Sequence, residues 1–156
     1  MYKLVWDTSA ILNIKESNSE GYSPADSLYA DFSDGWIKDP YEFIFPTLAI
    51  FEVNASVSRI HHEGGKMLRE FWIINEHSRV RKIDETLVRE TYEIMAEPGF
   101  DQLKGADLVF ACIAYCESAT LVTLDKAFAK HVGGRIDVLD LNQSREAPIY
   151  RDYFRA

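Results

Sequence analysis

Asp107-Leu108-Val109-Phe110-Ala111-Cys112-Ile113-Ala114-Tyr115-Cys116-Glu117-Ser118-Ala119, with Leu121-Val122-Thr123-Leu124-Asp125 close behind it, decides the fold class. From Leu108 to Ala114 the first segment is apolar nearly all round, as a helix enclosed within a domain is. The second reads as a strand. Downstream follow a short helix over Ala127 to His131, a Gly133-Gly134 turn and a last strand over Ile136 to Leu141. Upstream, Leu87, Thr91, Ile94 and Met95 share one side of an amphipathic helix predicted over Thr86 to Ala96, stopped by Pro98-Gly99. Val80 to Ile83 is a weakly marked third strand. At the front, Tyr2 to Trp6 reads as a buried first strand with Asp7-Thr8-Ser9 at its end and a short helix from about Ala10. Ser23-Pro24-Ala25-Asp26 offers an N-cap and a first-position proline, so a helix runs through Leu28 and Phe32 to the Asp34-Gly35 stop. Phe43-Ile44-Phe45 is a second strand ended by Pro46. Thr47 caps a long helix over Leu48 to about His62, Gly64-Gly65 closes it, and a further helix is predicted over Lys66 to His77. Strands alternating with helices imply an α/β fold, a mostly parallel sheet covered on both faces, in one domain.

Composition agrees with one compact soluble unit: 156 residues, 47 % hydrophobic and 27 % charged. A chain this long buries about two-thirds of the surface it exposes when unfolded, so it requires neither disulfide nor structural metal. Cys112 and Cys116 lie on one helical face in an apolar stretch and read as core residues of a reducing compartment. No run approaches the roughly 20 apolar residues of a membrane span. Asp7 interrupts the opening Met1 to Trp6 before a signal-peptide core forms, so a cytoplasmic protein is expected. The net charge of −8 argues against bulk electrostatic binding of nucleic acid, though not against a metal-dependent nuclease. Acidity is concentrated at the front, where residues 1–58 carry nine acidic and three basic side chains.

Four carboxylates occupy places that carboxylates avoid. Asp7 and Asp125 each follow a hydrophobic strand, at the edge where open α/β sheets hold ligands. Asp107 opens the enclosed helix, and Glu52 sits inside Ile50-Phe51-Glu52-Val53. Buried together, such groups repel until protons or cations neutralise them. A shared Mg²⁺ or Mn²⁺ resolves this, because these hard ions take carboxylate oxygens and keep waters, leaving room for a phosphate and an activated water. Each acid also has a local alternative. Asp7 caps the following helix, Asp107 stabilises a helix N-terminus, Asp125 makes an Asx turn with Lys126-Ala127, and Glu52 pairs with a basic group.

Leu4-Val5-Trp6-Asp7-Thr8-Ser9-Ala10-Ile11-Leu12 resembles the opening of PIN-domain nucleases, a hydrophobic strand ending in an Asp-x-Ser or Asp-x-Thr turn. Phe45-Pro46-Thr47-Leu48-Ala49-Ile50-Phe51-Glu52-Val53 is similar to the segment carrying that family's helical glutamate. Lys104 to Ala114 and Leu121 to Phe128 resemble its third and fourth acidic motifs, in the same order and with matching spacing over residues 2–141. The nearest group is the VapC-like toxins of toxin–antitoxin pairs. Leu124 and Ala127 depart from the pattern, which often has a polar or basic residue and an acidic one there.

The resemblance implies a PIN-like three-layer α/β/α domain over residues 1–142, with about four to five strands, and a tail over residues 143–156. It implies a metal-dependent endoribonuclease in which Asp7, Asp107, Asp125 and Glu52 hold Mg²⁺ or Mn²⁺ and Ser9 orders a carboxylate or a metal-bound water. An RNA substrate, a small antitoxin and a homodimer complete that picture. Lys104, Lys126 and Arg59 are the candidate phosphate contacts. Arg79, Arg81 and other cations of that stretch also read as solvated partners of Glu63, Glu70 and Glu76. Phe71, Trp72, Tyr92 and Trp36 read as stacking platforms, core or interface. Two rivals stand beside the nuclease: an inactive PIN-like binding module, and an aspartate-nucleophile phosphatase, which wants a second Asp where Ser9 stands.

Overall fold

A computed structural model describes residues 1–15, 23–62 and 75–146. Five parallel strands form one sheet: β1 (Tyr2–Trp6), β2 (Tyr41–Pro46), β3 (Ser78–Arg81), β4 (Thr120–Thr123) and β5 (Val138–Asp140), in the order β3-β2-β1-β4-β5. Six α-helices are described: α1 (Thr8–Lys15), α2 (Pro24–Ser33), α3 (Thr47–His62), α4 (Glu85–Thr91), α5 (Gly105–Glu117) and α6 (Lys126–Val132). Among the described residues no helix is long and apolar enough to cross a membrane.

Leu4, Val5 and Trp6 are consecutive and all fully buried, which requires cover on both faces of the sheet. One face is aromatic. Phe43 meets the rings of Trp6 (5.3 Å between centroids), Tyr29 (5.4 Å), Phe32 (5.7 Å) and Tyr41 (4.8 Å), so α2 is fastened to β1 and β2 by edge-on and tilted ring contacts. Ser23 caps α2 in a reciprocal pair with Asp26, as the Ser-Pro-Ala-Asp signal requires. Apolar α5, with Phe110 to Ala114 buried, packs against β1 and β4.

The third strand lies at Ser78–Arg81, two residues before the expected Val80 to Ile83, and three further elements differ from expectation for a local reason. The helix expected over Thr86 to Ala96 ends at Thr91, whose buried hydroxyl bonds back to the Leu87 carbonyl at 2.8 Å and helps turn the chain into a short 3₁₀ segment, Ile94–Ala96. The last strand shrinks to Val138–Asp140: the Ile136 amide is taken by Val132 at the end of α6, and the Asp140 carboxylate accepts from the Asn142 amide, starting the 3₁₀ helix Leu141–Glu146. α1 starts at Thr8, two residues before the expected Ala10. The glycine after Pro98 is dictated by space, since Gly99 has φ +93° and a Cβ there would meet the His131 carbonyl oxygen at 1.9 Å. The helix expected over Lys66 to His77 falls mostly outside the described residues, with Asn75 to His77 in a turn, and the tail beyond Glu146 also lies outside them.

Replacing Phe43 with Ala removes the hub of the aromatic face and is expected to lower unfolding free energy by about 3–5 kcal/mol, read as a drop in the urea midpoint at unchanged slope.

Candidate functional site

The parallel register of β1 and β4 sets Trp6 beside Val122. Asp7 and Thr123 come next along the two strands, so both reach the carboxyl edge of the sheet side by side. This is where strand order reverses, with β2 and β3 on one side of β1 and β4 and β5 on the other. Open α/β sheets take ligands at such a point.

Asp7 is 3 % exposed. Its Oδ1 accepts from the Ser9 hydroxyl at 2.7 Å and the Ala10 amide at 2.8 Å, and its Oδ2 accepts from the Thr123 hydroxyl. The Ala10 contact caps α1, which explains the early start of that helix. Ser9 also accepts the Leu124 amide at 3.0 Å, and Thr123 accepts the Asp125 amide at 2.9 Å, so two hydroxyls lock the loop after β4 to the loop after β1. An ionised carboxylate offers about four acceptor positions. Three on Asp7 are filled by these donors, leaving one on Oδ2.

Burial pushes the Asp7 carboxyl above its usual range. The bonds from Thr123, Ala10 and Ser9 pull it back, and the charge of Asp107 adds to the rise. Asp107, partly buried in the first turn of α5, is raised by desolvation first and then by Asp125 and Glu52. It is therefore the electrostatic hub of the four acids. Asp125 is exposed and caps α6, its Oδ1 accepting the Ala127 amide at 2.8 Å. Glu52, partly buried on α3, accepts the Thr8 hydroxyl on Oε1 at 2.6 Å.

The local alternatives for Asp7 and Asp125 are thus realised in the same geometry, and the partner seen for Glu52 is a hydroxyl where a basic group was the alternative. As donors, these hard carboxylate oxygens fit Mg²⁺ or Mn²⁺, and Asp7 keeps an acceptor position for one. Among the described residues, however, no three His, Cys, Asp or Glu side chains stand together closely enough to form a ready-made metal site. The acids share one edge and one field without forming a coordination shell.

The PIN domain model matches residues 4–133. This chain belongs to the PIN domain family. Among solved structures, this PIN domain resembles VapBC2 from Rickettsia felis bound to a DNA fragment from the promoter, at 17 % identity and TM-score 0.59, covering 87 % of this chain and 96 % of that one. It also resembles FitAB bound to the IR36 DNA fragment, at 16 % identity and TM-score 0.55, covering 86 % and 92 % of the two chains. FitAcB from Neisseria gonorrhoeae gives 14 % identity and TM-score 0.50, with 90 % and 99 % covered. At such identities the likeness is one of fold. Comparison with curated proteins returns no match.

Two hydroxyl residues at this edge carry almost no mark in the sequence. Thr123 looks like an ordinary β-branched strand residue, and only its place two before Asp125 marks it. Thr8 looks like a link between Asp7 and Ser9. Lys104, at the N-cap of α5, and Lys126, the first residue of α6, are both exposed at the helix starts that carry Asp107 and Asp125. Arg59 is exposed two helical turns along α3 from Glu52, its guanidinium donating to Ser56 at 3.2 Å. Among the described residues, Arg79 reaches Glu42 (2.9 Å) and Glu117 (2.7 Å), and Arg81 reaches Glu90 (3.1 Å) and Glu117 (3.2 Å), while the expected partners Glu63 and Glu70 lie outside the described residues. Trp36 and Tyr92 are both 75 % exposed and belong to no core. Cys112 is buried, its thiol pushed up to about 11 by desolvation, and inert.

Because the Asp7 carboxyl is raised in the folded chain, the native state binds more protons than the unfolded state from about its ordinary value of 3.8 up to the raised value. Stability therefore falls as pH rises across that interval and stays low above it. In chelator-treated protein, the stability of Asp7→Asn relative to wild type is expected to rise between about pH 4 and neutral pH, as read by urea unfolding at both values.

Proposed function

We propose that this PIN domain is a Mg²⁺- or Mn²⁺-dependent endoribonuclease and the toxin of a toxin–antitoxin pair, with residues 1–142 as its nuclease unit. The observation that carries the reading is Asp7: a buried carboxylate at the switch point, held by three donors that favour its charged form although three other acids surround the same edge. Such an arrangement lowers stability unless a cation engages it, and sites of this kind serve function before stability.

Asp7, Asp107 and Asp125 are the residues that would hold the ion, with Glu52 orienting a water beside them. When bound, the ion supplies a water of lowered pKa and positive charge against the scissile phosphate. Ser9 and Thr123 favour the ionised form of Asp7 and fix its orientation. Lys104 and Lys126 offset the repulsion between the acids and an RNA backbone. Attack by water leaves the RNA 2′-hydroxyl unused, so the products carry a 5′-phosphate and a 3′-hydroxyl. VapBC2 and FitAB, similar in fold, were solved on DNA fragments. The acidic front of this chain suits a basic segment of a small antitoxin, and a homodimer belongs to the same reading.

Asp7→Asn and Asp107→Asn are each expected to reduce Mn²⁺-dependent cleavage of single-stranded RNA by at least about 100-fold in proteins that remain folded. Undiminished cleavage sinks the assignment. Mn²⁺ binding without cleavage by wild type favours a binding module, and release of phosphate from a monoester in place of RNA cleavage favours a phosphatase.

A further inference from the structure

The first turn of α1 contains a hydroxyl that its own helix does not require. Capping of α1 is done by Asp7 through the Ala10 amide. Thr8, which would ordinarily compete for that task, instead donates its one proton across 44 residues to Glu52 on α3, at 2.6 Å. This is a short bond, and it is made to a carboxylate whose charge acts on Asp107 together with that of Asp125. Left alone, a partly buried glutamate on a helix swings toward water and away from like charge. α1 and α3 pack against each other, so the bond spans a fixed interface.

We propose that Thr8 is a positioning residue for the metal centre: its hydroxyl ties Glu52 Oε1 to α1 and so keeps the other carboxylate oxygen available at the acidic edge. The assignment rests on the metal-dependent reading above and adds to it a residue outside the ligand set. Thr8 touches neither ion nor substrate and acts only through Glu52. Its methyl group has no part in this, so Ser serves equally well and Val, which is nearly isosteric, does not.

The test is isothermal titration of the full chain with MnCl₂ alone, without RNA, on wild type, Thr8→Val, Thr8→Ser, Glu52→Gln and the Thr8→Val/Glu52→Gln double variant, with circular dichroism confirming the fold of each. Thr8→Val is expected to bind Mn²⁺ about 10-fold more weakly, as loss of an outer-shell partner does. Thr8→Ser should restore wild-type affinity, and Thr8→Val should have no further effect in the Glu52→Gln background. Wild-type affinity in Thr8→Val overturns the proposal and leaves the nuclease reading intact. A loss of equal size in the Glu52→Gln background overturns it as well, since the effect then runs through α1. Absence of Mn²⁺ binding by wild type overturns the metal-dependent reading and this assignment together.

Discussion

Parallel pairing of β1 with β4 is the constraint on which the site depends. Strand order reverses between these two strands, so the chain leaves their carboxyl ends in opposite directions and opens a crevice between the departing loops. Side by side there, Asp7 and Thr123 are joined by a hydrogen bond, while Ser9 and the Leu124 and Asp125 amides complete a closed ring of donors and acceptors. A one-residue slip of β4 would carry Thr123 to the other face of the sheet and leave Asp7 buried without its donor.

This chain treats acidic residues in two ways. Away from the carboxyl edge, Glu42, Glu90 and Glu117 are matched with Arg79 and Arg81, and Arg79 holds the Glu117 carboxyl below its usual range. That pairing clamps β3 to β2 and α5. At the edge, Asp7, Glu52 and Asp125 receive hydroxyls and backbone amides, and the carboxyls of Asp7 and Asp107 rise. Neutral donors orient a carboxylate and favour its ionised form without cancelling its charge, which is what a cation site requires of its protein.

Much of this was legible in the chain because it rests on short-range signals. The Ser-Pro-Ala-Asp start of α2, the enclosed α5 and the Leu-Val-Thr-Leu strand each declare themselves through capping chemistry or apolar pattern. The four acids were conspicuous because charge in an apolar context is costly. Less visible were features whose cause lies elsewhere in the sequence. α4 stops early through a back-bonded threonine, Arg79 finds Glu117 at a separation of 38 residues, and Trp36 and Tyr92 prove exposed.

By itself the sequence determined that strands and helices alternate, that the sheet is parallel and covered on both faces, and which acids sit at strand and helix ends, since propensity, periodicity and capping act over a few residues. Only the tertiary structure decided that Thr123 and Thr8 serve Asp7 and Glu52, and that these acids share a field without forming a metal shell. A hydroxyl carries no mark of its distant acceptor, and the separation of like charges depends on how helices pack on the finished sheet.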